Sequence, residues 1–441
     1  MKLVANIVIA TIGIAACEQA RDHRLIGDAL LKQRAYRDAI VEFEKAAKDA
    51  PKDARVRRQL GVSYSLVGDN KQAIANLETA KTLDPRDTTA ALVLGGIYLD
   101  TKQPDKALAE AKFVLDQSPN SVGGLFLSGS AYMASNATND AVRVFQQLDS
   151  VAPLDPRGPY LTAVALLARG NEPDAIHQLE RALTRDPSFL DALTQLVQID
   201  LGAKRTDNAL ARVQKQIAVI GKSAKHTELL GLVYLARNER SLAESAFLKA
   251  AALDSAYTDP YVRLSELYRD GGQLDKSLAM VDSALKRDPN NLSVQLVQAL
   301  AYQQQGKRND AKRVYENALK LNPKFAAAGN NLASMLAEDG DLKRARDLAR
   351  DARQSDPADP SIADTYGWVL YQLGDYKGAV VELKAAALKL PAQPTVAYHL
   401  GMAYSKVGNT ADARLQFQTA LEYKGAFPER AAAALALSSI K

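Results

Sequence analysis

A fixed period constrains this chain more than any other feature. Counted from Ala20, twelve frames of 34 residues run to Phe427 without an insertion or a deletion. Such self-similarity marks an array in which each unit buries its apolar face only against its neighbours. Four columns hold the register. The eighth position is glycine in Gly27, Gly61, Gly95, Gly129, Gly231, Gly367 and Gly401; elsewhere it is alanine or serine, except for Val197 in the sixth frame. The twentieth is alanine from Ala39 to Ala413, with Ser277 as the one exception. The eleventh is tyrosine in seven frames, among them Tyr64, Tyr98 and Tyr268, and the thirty-second is proline in nine, failing at Gly221, Ser255 and Gly425.

Each frame reads as a helical hairpin. From Ala54 to Pro85, apolar residues recur at helical spacing through Leu60, Tyr64 and Leu66, then through Ile74, Leu77 and Ala80. Between the two runs, Gly68-Asp69-Asn70 offers a residue tolerant of positive φ followed by side chains able to cap a helix. Asp84-Pro85 ends the second helix, because proline in a helix interior costs about 3 kcal/mol and also restricts the residue before it. Small residues at columns 8, 20 and 27 let the paired helices approach, and the tyrosine is expected to fill the seam to the next frame.

This pattern resembles the tetratricopeptide repeat. Leu60-Gly61, Tyr64, Ala73, Leu77, Ala80 and Pro85 stand where that family's signature places them, and His399 to Leu421 matches as closely. The resemblance implies an all-α fold: a right-handed superhelical solenoid of about twelve helix-turn-helix repeats over 20–427, closed by a capping helix at 428–441. It also implies a concave groove for protein or peptide partners, lined by columns 2, 5, 9, 12 and 13. Carried over, these columns give Arg21, Arg24, Lys32, Arg55 and Arg58, a basic entrance for an acidic segment or a lipid headgroup. In the middle they give Phe126, Met133, Tyr160, Val164 and Leu167, an apolar stretch. Towards the end they give Asp364, Trp368, Tyr371, Gln372, Tyr398, Met402 and Lys406, including the single tryptophan. Column 9 begins Asp28, Val62, Gly96 and column 6 begins Leu25, Gln59, Val93, so neither the lysine and asparagine clamp nor the asparagine ladder known in the family is reproduced.

Two places depart from the pattern. The sixth frame carries Val197, Asp200 and Gln216 where small, aromatic and alanine residues are usual, and the closing proline is missing there and in the seventh; a hinge is expected over 190–257. Pro153, Pro156 and Pro159 crowd one junction and are expected to stiffen or kink it.

Little in the sequence points to chemistry. With 56 basic and 51 acidic residues the formal charge is +5, which lacks the excess a nucleic-acid binder needs. His23, His177, His226 and His399 lie in separate frames without metal-ligand spacing and read as surface or groove residues, so neither a metal nor a cofactor is expected. Carboxylates such as Asp69 and Asp84 recur as caps, there is no phosphate loop or nucleophile elbow, and the frames leave no room for a catalytic domain. The chain reads as a non-enzyme.

The first residues say where it works. Behind Met1 and Lys2, Leu3 to Ala16 is an apolar segment that as a helix spans about 21 Å, short of a bilayer's roughly 30 Å. Ile14-Ala15-Ala16-Cys17 resembles the lipobox of bacterial lipoproteins, and Cys17 is the only cysteine. That resemblance implies a signal peptide at 1–16, a lipidated N-terminus at 17–19, and a lipid-anchored protein facing the periplasm, with Glu18 modestly favouring the outer membrane. The two resemblances together point to an envelope scaffold for protein partners, similar to lipoproteins of exopolysaccharide and exosortase systems. The alternative is a glycan or cell-wall binding accessory protein that stacks sugars on its aromatic groove.

Overall fold

The computed structural model describes residues 19–440, all helix and turn. Cys17, Glu18 and the apolar segment before them lie outside the described residues. The chain divides between Gly221 and Lys222 into two compact units. In the first, residues 19–32 form α1, followed by α2 (Tyr36–Asp49), α3 (Ala54–Leu66), α4 (Asn70–Leu83), α5 (Thr88–Asp100), α6 (Pro104–Gln117), α7 (Val122–Ala134), α8 (Thr138–Val151), α9 (Arg157–Ala168), α10 (Glu172–Arg185), α11 (Leu190–Gly202) and α12 (Thr206–Ile220). In the second come α13 (Ala224–Ala236), α14 (Arg240–Leu253), α15 (Asp259–Asp270), α16 (Leu274–Leu285), α17 (Leu292–Gln304), α18 (Arg308–Leu321), α19 (Ala326–Glu338), α20 (Leu342–Ser355), α21 (Pro360–Gln372), α22 (Tyr376–Lys389), α23 (Pro394–Lys406), α24 (Thr410–Glu422) and α25 (Arg430–Ser439).

Within each unit the helices pair as antiparallel hairpins, α3 with α4 through α23 with α24, and each hairpin packs on the next. First helices also touch across repeats, as α5 does α7, α15 does α17 and α19 does α21, so they share one face. Every hairpin turns at column 15 through a left-handed residue: glycine in seven, such as Gly68 at φ 82°, and Arg34, Lys102, Asn136, Lys204 and Asn238 in the others. The residue after it often caps the second helix, as Asp69 does by accepting from Gln72 N at 3.1 Å.

The small columns are small because the partner helix is already there. A Cβ on Gly129 would lie 2.3 Å from the Phe145 ring, and one on Gly231 2.4 Å from Phe247. In the eighth hairpin columns 8 and 20 are both serine, and the two buried hydroxyls, Ser265 and Ser277, bond each other at 2.7 Å. Tyr64 and Tyr98 pack in one cluster with apolar residues of the next repeat, and three of the tyrosines also bond back across the seam behind them. Tyr64 donates to Glu44 at 2.5 Å, Tyr98 to Glu78 at 3.3 Å and Tyr268 to Glu244 at 2.6 Å, each on the second helix of the preceding hairpin.

The sixth hairpin is tied to the fifth by other means. Asp200, 2% exposed, is held by Arg205 Nε at 2.9 Å and Arg212 Nε at 2.7 Å, and these arginines reach Glu172 and Glu180 of α10. Gln216 donates its amide to the Pro187 carbonyl. Val197 and Val213 are both buried, the smaller Val213 standing where four hairpins, the fourth among them, carry phenylalanine. At the proline-rich junction Pro156 precedes α9 and Pro159 lies in its first turn, where the missing N–H is not needed. At the far end α25 packs on α24, with Arg414 Nη2 donating to the Ile440 carbonyl at 2.7 Å. Among the described residues no helix is long and apolar enough to cross a membrane.

Candidate functional site

The carried-over columns lie on the first helices of the hairpins, and each group of these residues has a different fate. At the start of the first unit the cations are largely matched by the chain itself. Arg24 pairs with Asp28 at 3.1 Å, and Gln59 Nε2 donates to the same carboxylate at 2.9 Å. Arg58 reaches Asp87 at 3.0 Å; that carboxylate is buried and also caps α5 through Ala90 N. Arg55 stands 3.6 Å from Asp53, while Arg21 and Lys32 are exposed. The entrance is therefore less basic than its arginines alone suggest.

The apolar stretch is mostly closed. Met133, Tyr160 and Leu167 pack into the core of the fourth and fifth hairpins, and the Tyr160 ring stands edge-on to Phe189 at 5.3 Å. Burial raises the Tyr160 hydroxyl above its usual range, with the Asp191 charge adding to it. Phe126 is 44% exposed and offers an aromatic surface on α7.

In the second unit α21 and α23 bring together Asp364, Trp368, Tyr371, Tyr398 and Met402. Trp368 lies parallel to two rings: Tyr371, one helical turn on, at 4.7 Å and 5°, and His399 of α23 at 4.0 Å and 15°. Two rings parallel to one indole at these distances cannot sit side by side without their edges colliding, so they cover opposite faces. His399 Nδ1 donates to the Asp364 carboxylate at 3.0 and 3.2 Å, which fixes the imidazole plane against the indole. Tyr398 and Met402 pack beneath, on Phe417 and the capping helix. Tyr376 of α22 lies 5.4 Å from Tyr371, and Lys406 stands 5.9 Å over its ring. Burial first, then neighbouring Tyr376 and Tyr398, raises the Tyr371 hydroxyl above its ordinary range. His399 is the member the carried-over columns miss, because it occupies column 6. Like His226, it is buried rather than a surface or groove histidine: burying an imidazole demands a partner, which Asp364 supplies to one and Ser223 to the other.

A second feature of the same face carries no residue named from the sequence. Between α15 and α17 opens a pocket of about 330 Å³, floored by Val262, Leu296 and Val297 and edged by Asp259, Arg263 and Glu266. Columns 2, 5 and 9 of the eighth and ninth frames supply most of its lining, while Arg263 and Val297 come from column 6. The second helices line clefts of their own, about 440 Å³ between α10 and α12 in the first unit and about 410 Å³ between α18 and α20 in the second. Among the described residues no group of three or more His, Cys, Asp or Glu side chains is placed to hold a metal ion.

A tetratricopeptide-repeat family model matches residues 67–122, 126–188 and 296–360, and a second such model matches 258–291. The chain carries tetratricopeptide repeats. No curated protein matches the sequence. Solved structures similar to this one include Cut9 in the APC/C hetero-tetramer Cut9–Hcn1, at 14% identity and a TM-score of 0.44, covering 98% of both chains. Yeast Tom70 aligns at 14% identity and 0.41, covering 96% of both. MamA from Desulfovibrio magneticus RS-1 aligns at 18% identity and 0.37 over 39% of this chain and 97% of its own.

Proposed function

We propose that this tetratricopeptide-repeat protein is a scaffold that binds protein or peptide partners along the faces its first helices form in each of the two units. The observation that carries the reading is the contrast on these faces between closed and open surface. The hairpin interiors are filled, while Phe126, the edge of the Trp368 cluster and the pocket between α15 and α17 remain accessible. The finer reading adds a lipid on Cys17, a site at the bacterial envelope facing the periplasm, and service to an envelope or exopolysaccharide secretion system. A multiply acylated cysteine gains about 0.8 kcal/mol per buried methylene, enough to hold the chain without a spanning helix. The reading keeps the hinge expected over 190–257; uniform hydrogen-exchange protection across 190–257 removes it.

The covered indole weighs against the glycan reading, because sugar stacking needs an open ring face and both faces of Trp368 are taken. Cross-linking and pull-down from solubilised envelope, run beside a glycan array, tests the choice. The scaffold predicts captured proteins that are lost with Phe126→Ala. Glycan retention with an unchanged set of captured proteins would sink it. Fatty-acid labelling that persists in Cys17→Ala removes the anchor.

A further inference from the structure

We propose that the pocket between α15 and α17 seats a lysine or arginine side chain from an extended segment of the partner. This rests on the scaffold reading and adds to it the chemistry of one contact. The pocket is lined by first helices alone, so it opens on the face that reading uses. Its floor is aliphatic: Val297 is buried, and Val262 and Leu296 are half-buried beside it. Its rim is negative. Arg263 donates through Nη1 to Glu266 at 3.2 Å, and its Nε lies 3.4 Å from Glu228, a buried carboxylate that also accepts from the Tyr257 hydroxyl. One guanidinium is thus shared between two carboxylates, and Asp259 stands exposed at the mouth. Two carboxylates, Asp259 and Glu266, line the pocket, and a third, Glu228, engages the same arginine from outside the lining, so Arg263 is outnumbered and the surround of the apolar floor is net negative.

That combination selects among side chains. Lysine and arginine carry an aliphatic stem that gains from lying on Val262 and Leu296, and a cationic head that reaches Asp259 and Glu266 at the rim. A norleucine gains the floor and forgoes the rim. A glutamate is repelled by it.

The test uses the chain from residue 17 onward and a cellulose-bound library of twelve-residue peptides with uncharged, randomised flanks and one central residue varied through Lys, Arg, norleucine, Gln and Glu. Lys and Arg peptides are expected to be retained about tenfold more than norleucine peptides. Asp259→Asn with Glu266→Gln is expected to abolish that preference, Glu266→Lys to shift it toward Glu, and Glu266→Asp to keep it. Asp259→Asn alone, at an exposed position, gives a partial loss and guards against misfolding, which thermal melts check for every variant. Retained peptides with no basic preference, or a preference unchanged in the double variant, overturn this proposal and leave the scaffold intact. Retention of no peptide at all also overturns this proposal, and the pull-down then decides the scaffold reading.

Discussion

At the eleventh column of the eighth hairpin stands Tyr268, 7% exposed, with its hydroxyl on Glu244 of the preceding repeat; at the same column of the sixth stands Asp200, 2% exposed, between Arg205 and Arg212. Both close a seam between hairpins. Glu180, which anchors Arg212, occupies the column of Glu44 and Glu78, the acceptors for Tyr64 and Tyr98. The ionic seam thus keeps the old acceptor and replaces the phenol by a carboxylate and a bridging guanidinium. This column specifies a filled volume, met by leucine in four frames, and where Tyr268 or Asp200 stands the buried polar group is also satisfied.

The largest test extends this rule of volume to column 8. Gly129 faces Phe145, whereas Val197 shares its hairpin with the smaller Val213. Gly129→Val forces a branched side chain where even a Cβ would lie 2.3 Å from the ring, and is expected to cost about 3 kcal/mol in urea unfolding or in local hydrogen exchange of α7 and α8. Adding Phe145→Val recreates the sixth hairpin's pair and is expected to return much of the loss. A double variant no better than the single breaks the rule.

The next concerns the ionic seam. Asp200→Ala leaves two arginines over an emptied, buried position and is expected to cost about 2 kcal/mol, less than a fully buried pair because both arginines also hold carboxylates of α10. Asp200→Tyr with Arg212→Ala installs the aromatic seam with Glu180 as acceptor, and is expected to lie within about 1 kcal/mol of the parent. A double-mutant cycle reads the coupling. Additive losses would show that the sixth hairpin depends on its arginines for something other than replacing tyrosine.

The phenolic seams respond to pH and the ionic one does not share their response. Burial first, then the bond to Glu244, pushes the Tyr268 hydroxyl up to about 12 from 10.0. The folded state then binds a proton the unfolded chain has lost, so the stabilisation is complete below pH 10 and is lost as pH rises through 12. Tyr268→Phe is expected to cost about 1 kcal/mol at neutral pH. The gap between it and the parent should stay constant up to pH 10 and then narrow. A gap that widens in alkali contradicts the assigned sign.

How far these features could be read in advance follows from their range. The hairpins, their turns at Gly68 and its column, and the gathering of Asp364, Trp368, Tyr371, Tyr398 and Met402 depend on spacing within one frame or between adjacent frames, which the period exposes directly. Three things depended on what partners do. Trp368 has an open column but a covered ring, because His399 one residue beyond Tyr398 turns inward to Asp364. Arg58 has a groove column but a buried carboxylate, Asp87, 29 residues on. The pocket between α15 and α17 depends on Arg263 being drawn towards Glu228 and Glu266, which no single column encodes.

The smallest test returns to the turn that both hairpins share. In the sixth hairpin it is Lys204 at φ 59°, in the eighth Gly272 at φ 72°. A side chain in the left-handed region is strained by its own Cβ, whereas glycine is not; against that, glycine widens the unfolded ensemble. Lys204 is exposed, so little packing is lost on removing it. Lys204→Gly is therefore expected to stabilise the sixth hairpin by about 0.5 kcal/mol, and Gly272→Ala to destabilise the eighth by about 1 kcal/mol, both read from local hydrogen exchange. If Lys204→Gly proves destabilising, the lysine itself contributes to the seam, and the sixth hairpin differs from the others in its turn as well as in its eleventh column.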